Sequence, residues 1–274
     1  MATGAPGEVE LLADADRPGG WLLLVDRIRQ SYVDLDDPTY LDFEYSQSFA
    51  DALGLLPQGP LAVTHVGGGA CTLARYVAAV RPGSSQIVLE PDAGLVEAVR
   101  ARLPLPRRSG IRIRTSGGRE GVARLHDASA DVLVLDAFAG GRVPAELTTA
   151  EFLADAARVL RPGGLFLANV ADRPGDYTRR LVSTVQAAFA HVTVRADPAV
   201  LRGRRYGNIV IAAGAGPLPV AGMVRAAAAA MFPQRVLHGP ELAAFAGAAA
   251  PLTDARPLRS PAPPEAAWRV EDLP

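Results

Sequence analysis

A chain of 274 residues, 49% of them hydrophobic and with a formal charge of −1, is long enough for one large α/β domain with a small appendage. The near-neutral balance lacks the basic excess of a nucleic-acid binder, and no apolar run approaches the roughly 18–20 residues that span a bilayer. All 28 Lys+Arg residues are Arg. That excludes a P-loop lysine, a Schiff base and any mechanism built on a lysine amine.

In chain order, residues 1–10 carry no basic n-region, so no signal peptide is expected. Residues 9–34 contain short apolar runs broken by turn residues, which predicts a small β-hairpin element within a segment 1–40. Leu41, Tyr45, Phe49 and Leu53 recur at intervals of four and predict a helix over 41–55. Leu61–Val66 reads as a buried strand, Gly67-Gly68-Gly69 as the turn leaving it, Ala70–Val80 as a helix and Gln86–Glu90 as a second strand. Further strands are expected at 111–115, 131–135, 165–170, 191–195 and 208–213. Strands alternating with helices predict a doubly wound, mostly parallel, seven-stranded sheet. Thr148-Thr149-Ala150-Glu151 reads as a capping box opening a helix to Leu160, and Asp172-Arg173-Pro174 as the start of another helix. Residues 219–247 read as two alanine-rich helices. The α/β domain is expected over 41–256, with 257–274 a loosely attached Pro-rich tail.

The segment 61–90 carries the functional signal. Glycines permit a tight turn and close backbone approach to a ligand, and the following helix offers unpaired N–H groups. An acid ending the second strand, here Glu90, is placed to accept the hydroxyls of a ribose. The dinucleotide fingerprint G-x-G-x-x-G fails because Thr72 stands at its third glycine. What remains is the pattern of class I S-adenosylmethionine-type enzymes. A second reading of Glu90, as a cap for a helix beginning near Asp92, stays open. Asp136 closes the strand Asp131–Leu135, where ligands of open α/β sheets lie. It reads equally as a general base or as an acceptor for loop amides.

Other chemistry-bearing residues are less specific. Cys71, the one cysteine, fits a reducing, cytoplasmic compartment and reads as a small buried residue behind the glycines. His65, His126, His191 and His238 share no metal-ligand spacing, so no metal is expected, and His65 reads as a core histidine. Arg202, Arg204 and Arg205 are either a contact for an anionic group or a solvated loop. The acidic run Asp34, Asp36, Asp37, Asp42 and Glu44 either attracts a cation or serves turns and caps.

From about Asp26 to Ala213 the chain resembles the spermidine synthase family, more closely its bacterial spermidine synthase-like branch. Val25–Gln30 is similar to the family's D-G-x-x-Q stretch and Phe43-Glu44-Tyr45 to its F-x-Y. The three glycines, Glu90 and Asp131–Asp136 follow in order. The resemblance implies a class I methyltransferase-like fold and an S-adenosylmethionine-type donor, native or decarboxylated. It implies cofactor-binding positions at Gly67, Gly68, Gly69, Glu90, Gly117 and Gly118, a base at Asp136, and substrate contacts at Gln30 and Tyr45. Partners would be the nucleoside and a small acceptor, without nucleic acid or membrane. The family's N-terminal β element commonly mediates dimers, which implies a homodimer.

Three departures qualify the activity. Ala70, Gly117 and Ala139 stand where the family places carboxylates for the aminopropyl ammonium, the adenine and the attacking amine. An ammonium in a cleft without a paired charge carries a desolvation cost of roughly several kcal/mol. Ordinary polyamine aminopropyl transfer is therefore not expected. Three readings stay open: alkyl transfer to a small acceptor, nucleoside binding without transfer, and a structural homologue.

Overall fold

The computed structural model describes residues 7–264. The N-terminal apolar runs form not one hairpin but a three-stranded antiparallel sheet of β1 (Val9–Ala13), β2 (Gly20–Val25) and β3 (Ile28–Asp34). Asp26 and Arg27 turn between β2 and β3 with φ of 51° and 61°. That left-handed pair matches the twist of a tight hairpin. The register slips once, so that Leu23 faces Ser31 and Leu24 faces Arg29, leaving Gln30 as the bulged residue.

Helix α1 (Glu44–Gly54) buries Phe49 and Leu53 as their spacing predicts, whereas Leu41 is buried ahead of the helix. The main domain follows as β4 (Ala62–Val66), α2 (Thr72–Val80), β5 (Ser85–Glu90), α3 (Ala93–Arg102), β6 (Ile111–Thr115), α4 (Gly118–Ala123) and β7 (Ala130–Leu135). Then come α5 (Ala150–Val159), β8 (Leu160–Asp172), α6 (Asp176–Ala188), β9 (His191–Ala196), α7 (Pro198–Leu201) and β10 (Gly207–Gly214). The chain continues through α8 (Val220–Ala229), β11 (Arg235–Leu237) and α9 (Gly239–Ala246).

Strand order is β11-β9-β10-β8-β7-β4-β5-β6. The seven expected strands are present, and short β11 adds an eighth between the two alanine-rich helices, antiparallel to β9. β4 to β8 run parallel, and β10 pairs antiparallel with both β8 and β9. Apolar side chains cover both faces. Phe152, Leu153 and Leu181 pack on one side of the sheet, and Phe49, Leu53, Val77 and Met223 on the other.

Three local expectations are corrected. The N-cap of α5 is Thr149, whose Oγ1 accepts from Phe152 N at 3.4 Å, while Glu151 instead accepts from Asp254 N at 2.9 Å. Asp172 does not open a helix, because pairing with Gly207 extends β8 through it. Its carboxylate accepts from Thr178 in the first turn of α6. The segment after Ala246 is docked as far as it is described. Leu252 is buried and Ser260 is 1% exposed, with Ser260 Oγ accepting from Val143 N at 2.8 Å. Residues 265–274 of the expected tail lie outside the described residues.

Candidate functional site

The chain runs β4, β5, β6 outward on one side of β4, then returns to β7 on the other. The crevice between the carboxyl ends of β4 and β7 is thus the switch point at which open α/β sheets take ligands. The glycine loop leaves β4 there and Asp136 leaves β7, with Asp136 N donating to Val66 O at 2.8 Å.

Each glycine has its own reason. Gly67 sits at φ +99°, and a Cβ on it would lie 2.0 Å from the Asp136 carbonyl oxygen. Gly68 N donates to Glu90 Oε2 at 2.9 Å. Gly69 sits at φ +46°, where a Cβ would meet Ser31 Oγ at 2.3 Å. The loop is also tied to the N-terminal sheet: Ala70 N donates to Ser31 Oγ at 3.2 Å, and Thr72 Oγ1 donates to Tyr32 O at 2.9 Å. The N-terminal sheet therefore walls the glycine loop.

Glu90 is 8% exposed, and its Oε1 accepts from Asp92 N at 3.0 Å. The cap of α3 is Asp92, accepting from Leu95 N at 3.0 Å, so Glu90 braces the approach to α3 without capping it. Each carboxylate oxygen takes one backbone N–H and retains a further lone pair. Gly117 N-caps α4 with nothing within 4 Å of a built Cβ, whereas Gly118 packs against Val66 and Leu147.

Asp136 is enclosed by polar but uncharged partners. The Tyr45 hydroxyl neighbours its carboxylate and stabilises the charge, and Asn169 Nδ2 donates to Oδ1 at 3.0 Å. Behind it, Asn208 Nδ2 donates to Asn169 Oδ1 at 3.0 Å. Burial raises the Asp136 pKa to about 6, against the opposing effect of the hydrogen bonds from Asn169 and Tyr45. Burial, with the Asp136 charge, pushes the Tyr45 hydroxyl well above its usual range, so it remains a donor. The Tyr45 ring stands edge-on to Phe49 at 5.9 Å.

Asp136 and Tyr45 are thus brought together beside the glycine loop, and Gln30 lies one residue from Ser31 at the bulge in β3. Sequence reasoning missed Asn169 and Asn208. The available signal was an amide inside the apolar run Leu165–Val170, at the strand end next to Asp136.

The other candidates are absorbed locally. His65 Nε2 pairs with Gln86 Oε1 at 2.9 Å, and burial lowers its pKa to about 4. Cys71 is buried at φ +61°, with its thiol pushed up to about 11 by burial. Asp34 accepts from Arg17 and from the N–H groups of Asp36 and Asp37, which is turn chemistry. Asp42 pairs with Arg29 at 3.3 Å, Glu44 accepts from Gln234, and Arg205 pairs with Asp197 at 3.1 Å. Ala70 is fully buried. Among the described residues no group of three His, Cys, Asp or Glu side chains is placed for a metal, and no helix is long and apolar enough to cross a membrane. Two shallow pockets lie elsewhere, one beside Asp51 and Arg195, the other by Gly163–Leu165.

Sheet order, glycine loop and switch-point acid together define a class I methyltransferase-like protein. A human methyltransferase-like protein 13 in complex with SAH shares this fold, with a TM-score of 0.56 at 20% identity over 67% of this chain and 89% of that one. A probable spermidine synthase from Corynebacterium glutamicum matches far more closely, with a TM-score of 0.84 and 32% identity over 93% of this chain and 96% of that one. The chain belongs to the spermidine synthase-like family. The polyamine aminopropyltransferase of Chromobacterium violaceum is 27% identical over 140 residues, 51% of this chain and 53% of the relative, so the match spans about half of that relative's length. No protein-family model matches the chain.

Proposed function

We propose that the protein is a transferase that takes a sulfonium nucleoside of the S-adenosylmethionine type over Gly67–Gly69 and passes an alkyl group to a small acceptor at Asp136. The observation that carries this reading is the convergence at the switch point. The Asp136 backbone is in contact with Gly67, and Glu90 accepts from Gly68 of the same loop. Family membership and the names of the relatives support transfer chemistry.

The residues fit such a donor. The free lone pairs of Glu90 suit two ribose hydroxyls, and the open space at Gly117 suits a flat base. The donor, when bound, supplies a carbon made electrophilic by positively charged sulfur. The acceptor's lone pair forms the new bond to that carbon, and the carbon–sulfur bond breaks with its electrons on sulfur. The acceptor's proton passes to the Asp136 carboxylate. Alignment is the protein's main contribution. Tyr45 and Asn169 hold the base in place during transfer.

The finer assignment follows from what the site lacks. Ala70, Gly117 and Ala139 offer no carboxylate, and the acidic run Asp34–Glu44 contains an internally bonded Asp34 and a paired Asp42. Methyl transfer therefore fits better than aminopropyl transfer to a polyamine. The same departures support a second reading, a nucleoside-binding homologue without transfer activity. Calorimetric titration with S-adenosylmethionine, its decarboxylated form and methylthioadenosine tests the proposal. Binding of none of the three would overturn it. Binding without turnover across amine and hydroxyl acceptors would favour the second reading.

A further inference from the structure

Behind Asp136, two carboxamides form a directed chain across three neighbouring strands. Asp136 follows β7, Asn169 lies in β8 and Asn208 in β10. Each link is 3.0 Å, from Asn208 Nδ2 to Asn169 Oδ1 and from Asn169 Nδ2 to Asp136 Oδ1. An ionised carboxylate only accepts, so Asn169 must turn its NH₂ group toward Asp136 and its carbonyl toward Asn208. The polarity of the whole chain is therefore set by the charge at its end.

Asn169 is 1% exposed within an otherwise apolar stretch of β8. A buried amide is costly unless its groups are paired, and here its pairing is spent on one carboxylate and one further amide. Among the described residues, the side chains that act on Asp136 are Tyr45 from α1 and Asn169 from β8, both uncharged. Among the described residues, neutral groups stand at this carboxylate where a neighbouring cation would usually hold it ionised.

We propose that Asn169 and Asn208 are positioning residues that together orient the Asp136 carboxylate and keep its proton affinity low enough for it to act as a base near neutral pH. Asn169 acts directly through its N–H. Asn208 acts through Asn169, by holding the amide in the one orientation that presents a donor. The role as base rests on the function proposed above, but the titration of the carboxyl does not.

The test is a carbon-13 NMR titration of protein labelled at the aspartate carboxyl carbons, with the Asp136 signal assigned by its loss in Asp136→Asn. Among the described residues Asn169 is the one amide that donates to this carboxylate, so with Asn169→Leu the midpoint should rise by about 1–2 pH units. Asn208→Leu should raise it by about a few tenths, because the near bond is weakened and not removed. Asn208 is half-buried near a strand end, so its variant carries the test if Asn169→Leu does not fold. A purely structural role would lower the melting temperature and leave the Asp136 midpoint unmoved, and that result would overturn the proposal. Full transfer activity in Asp136→Asn would remove the base assignment, while the carboxyl titration would still decide whether the two amides act on Asp136.

Discussion

Gly67 and Asp136 are in backbone contact across the switch point. A Cβ on Gly67 would stand 2.0 Å from the Asp136 carbonyl oxygen, at a φ of +99° that side chains rarely adopt. The glycine loop and the acid that follows β7 are thereby locked to each other through the main chain. Gly67→Ala should cost about 2–4 kcal/mol, combining left-handed strain with a backbone clash. A urea denaturation midpoint equal to that of the parent would contradict the close approach.

The burial of Asp136 has a signed consequence for stability. Its pKa is raised from 3.8 to about 6 in the folded chain. Stability from this group is therefore fully present below about pH 4 and is lost as pH rises through about 6. Asp136→Asn removes the loss, and the variant should be more stable than the parent at pH 8 by about 2–3 kcal/mol. His65, lowered to about 4, acts in the opposite sense as pH falls below 6.5. The measurement is therefore the difference between parent and variant melting across pH 4–8, in which His65 cancels. A difference that does not change with pH would refute the raised pKa.

The proposed role of the same carboxylate as base predicts a rate profile. Transfer should rise with pH through about 6 and level off, because the base must be unprotonated. Asp136→Asn should lower the rate by about 10²–10⁴-fold without unfolding the chain. Full activity in that variant would exclude Asp136 from proton transfer.

Glu90 should be the main ribose contact. Glu90→Ala is expected to weaken nucleoside binding by about 1.5–3 kcal/mol, the range of a hydrogen bond to a charged group. The substitution also frees the N–H groups of Gly68 and Asp92. Calorimetry should therefore be read beside circular dichroism, on folded variant only. Unchanged affinity would point to a purely structural Glu90.

Spermidine formation from putrescine and decarboxylated S-adenosylmethionine should be weak or absent. Ala70 is fully buried and Ala139 carries no charge, so neither ammonium group meets the carboxylate that the family pattern supplies. Turnover at a rate normal for polyamine synthases, followed by chromatography of the product, would show that other carboxylates take their place.

By itself the sequence determined the α/β alternation, the glycine loop and both acids at strand ends, because hydrophobic period and turn chemistry are local properties. It also marked His65 and Cys71 as core residues. Three things needed the tertiary structure. The extension of β8 through Asp172 depends on pairing with β10, a partner distant in sequence. The docking of Ser260 on Val143 depends on a hydrogen bond that no local pattern announces. The surroundings of Asp136 are the sharpest case. Asn169 and Asn208 come from two strands, and the sheet order β10-β8-β7 places their amides in line with one carboxylate. Local pattern places a residue on its own element, but which residues share a buried charge is decided by which elements pack together.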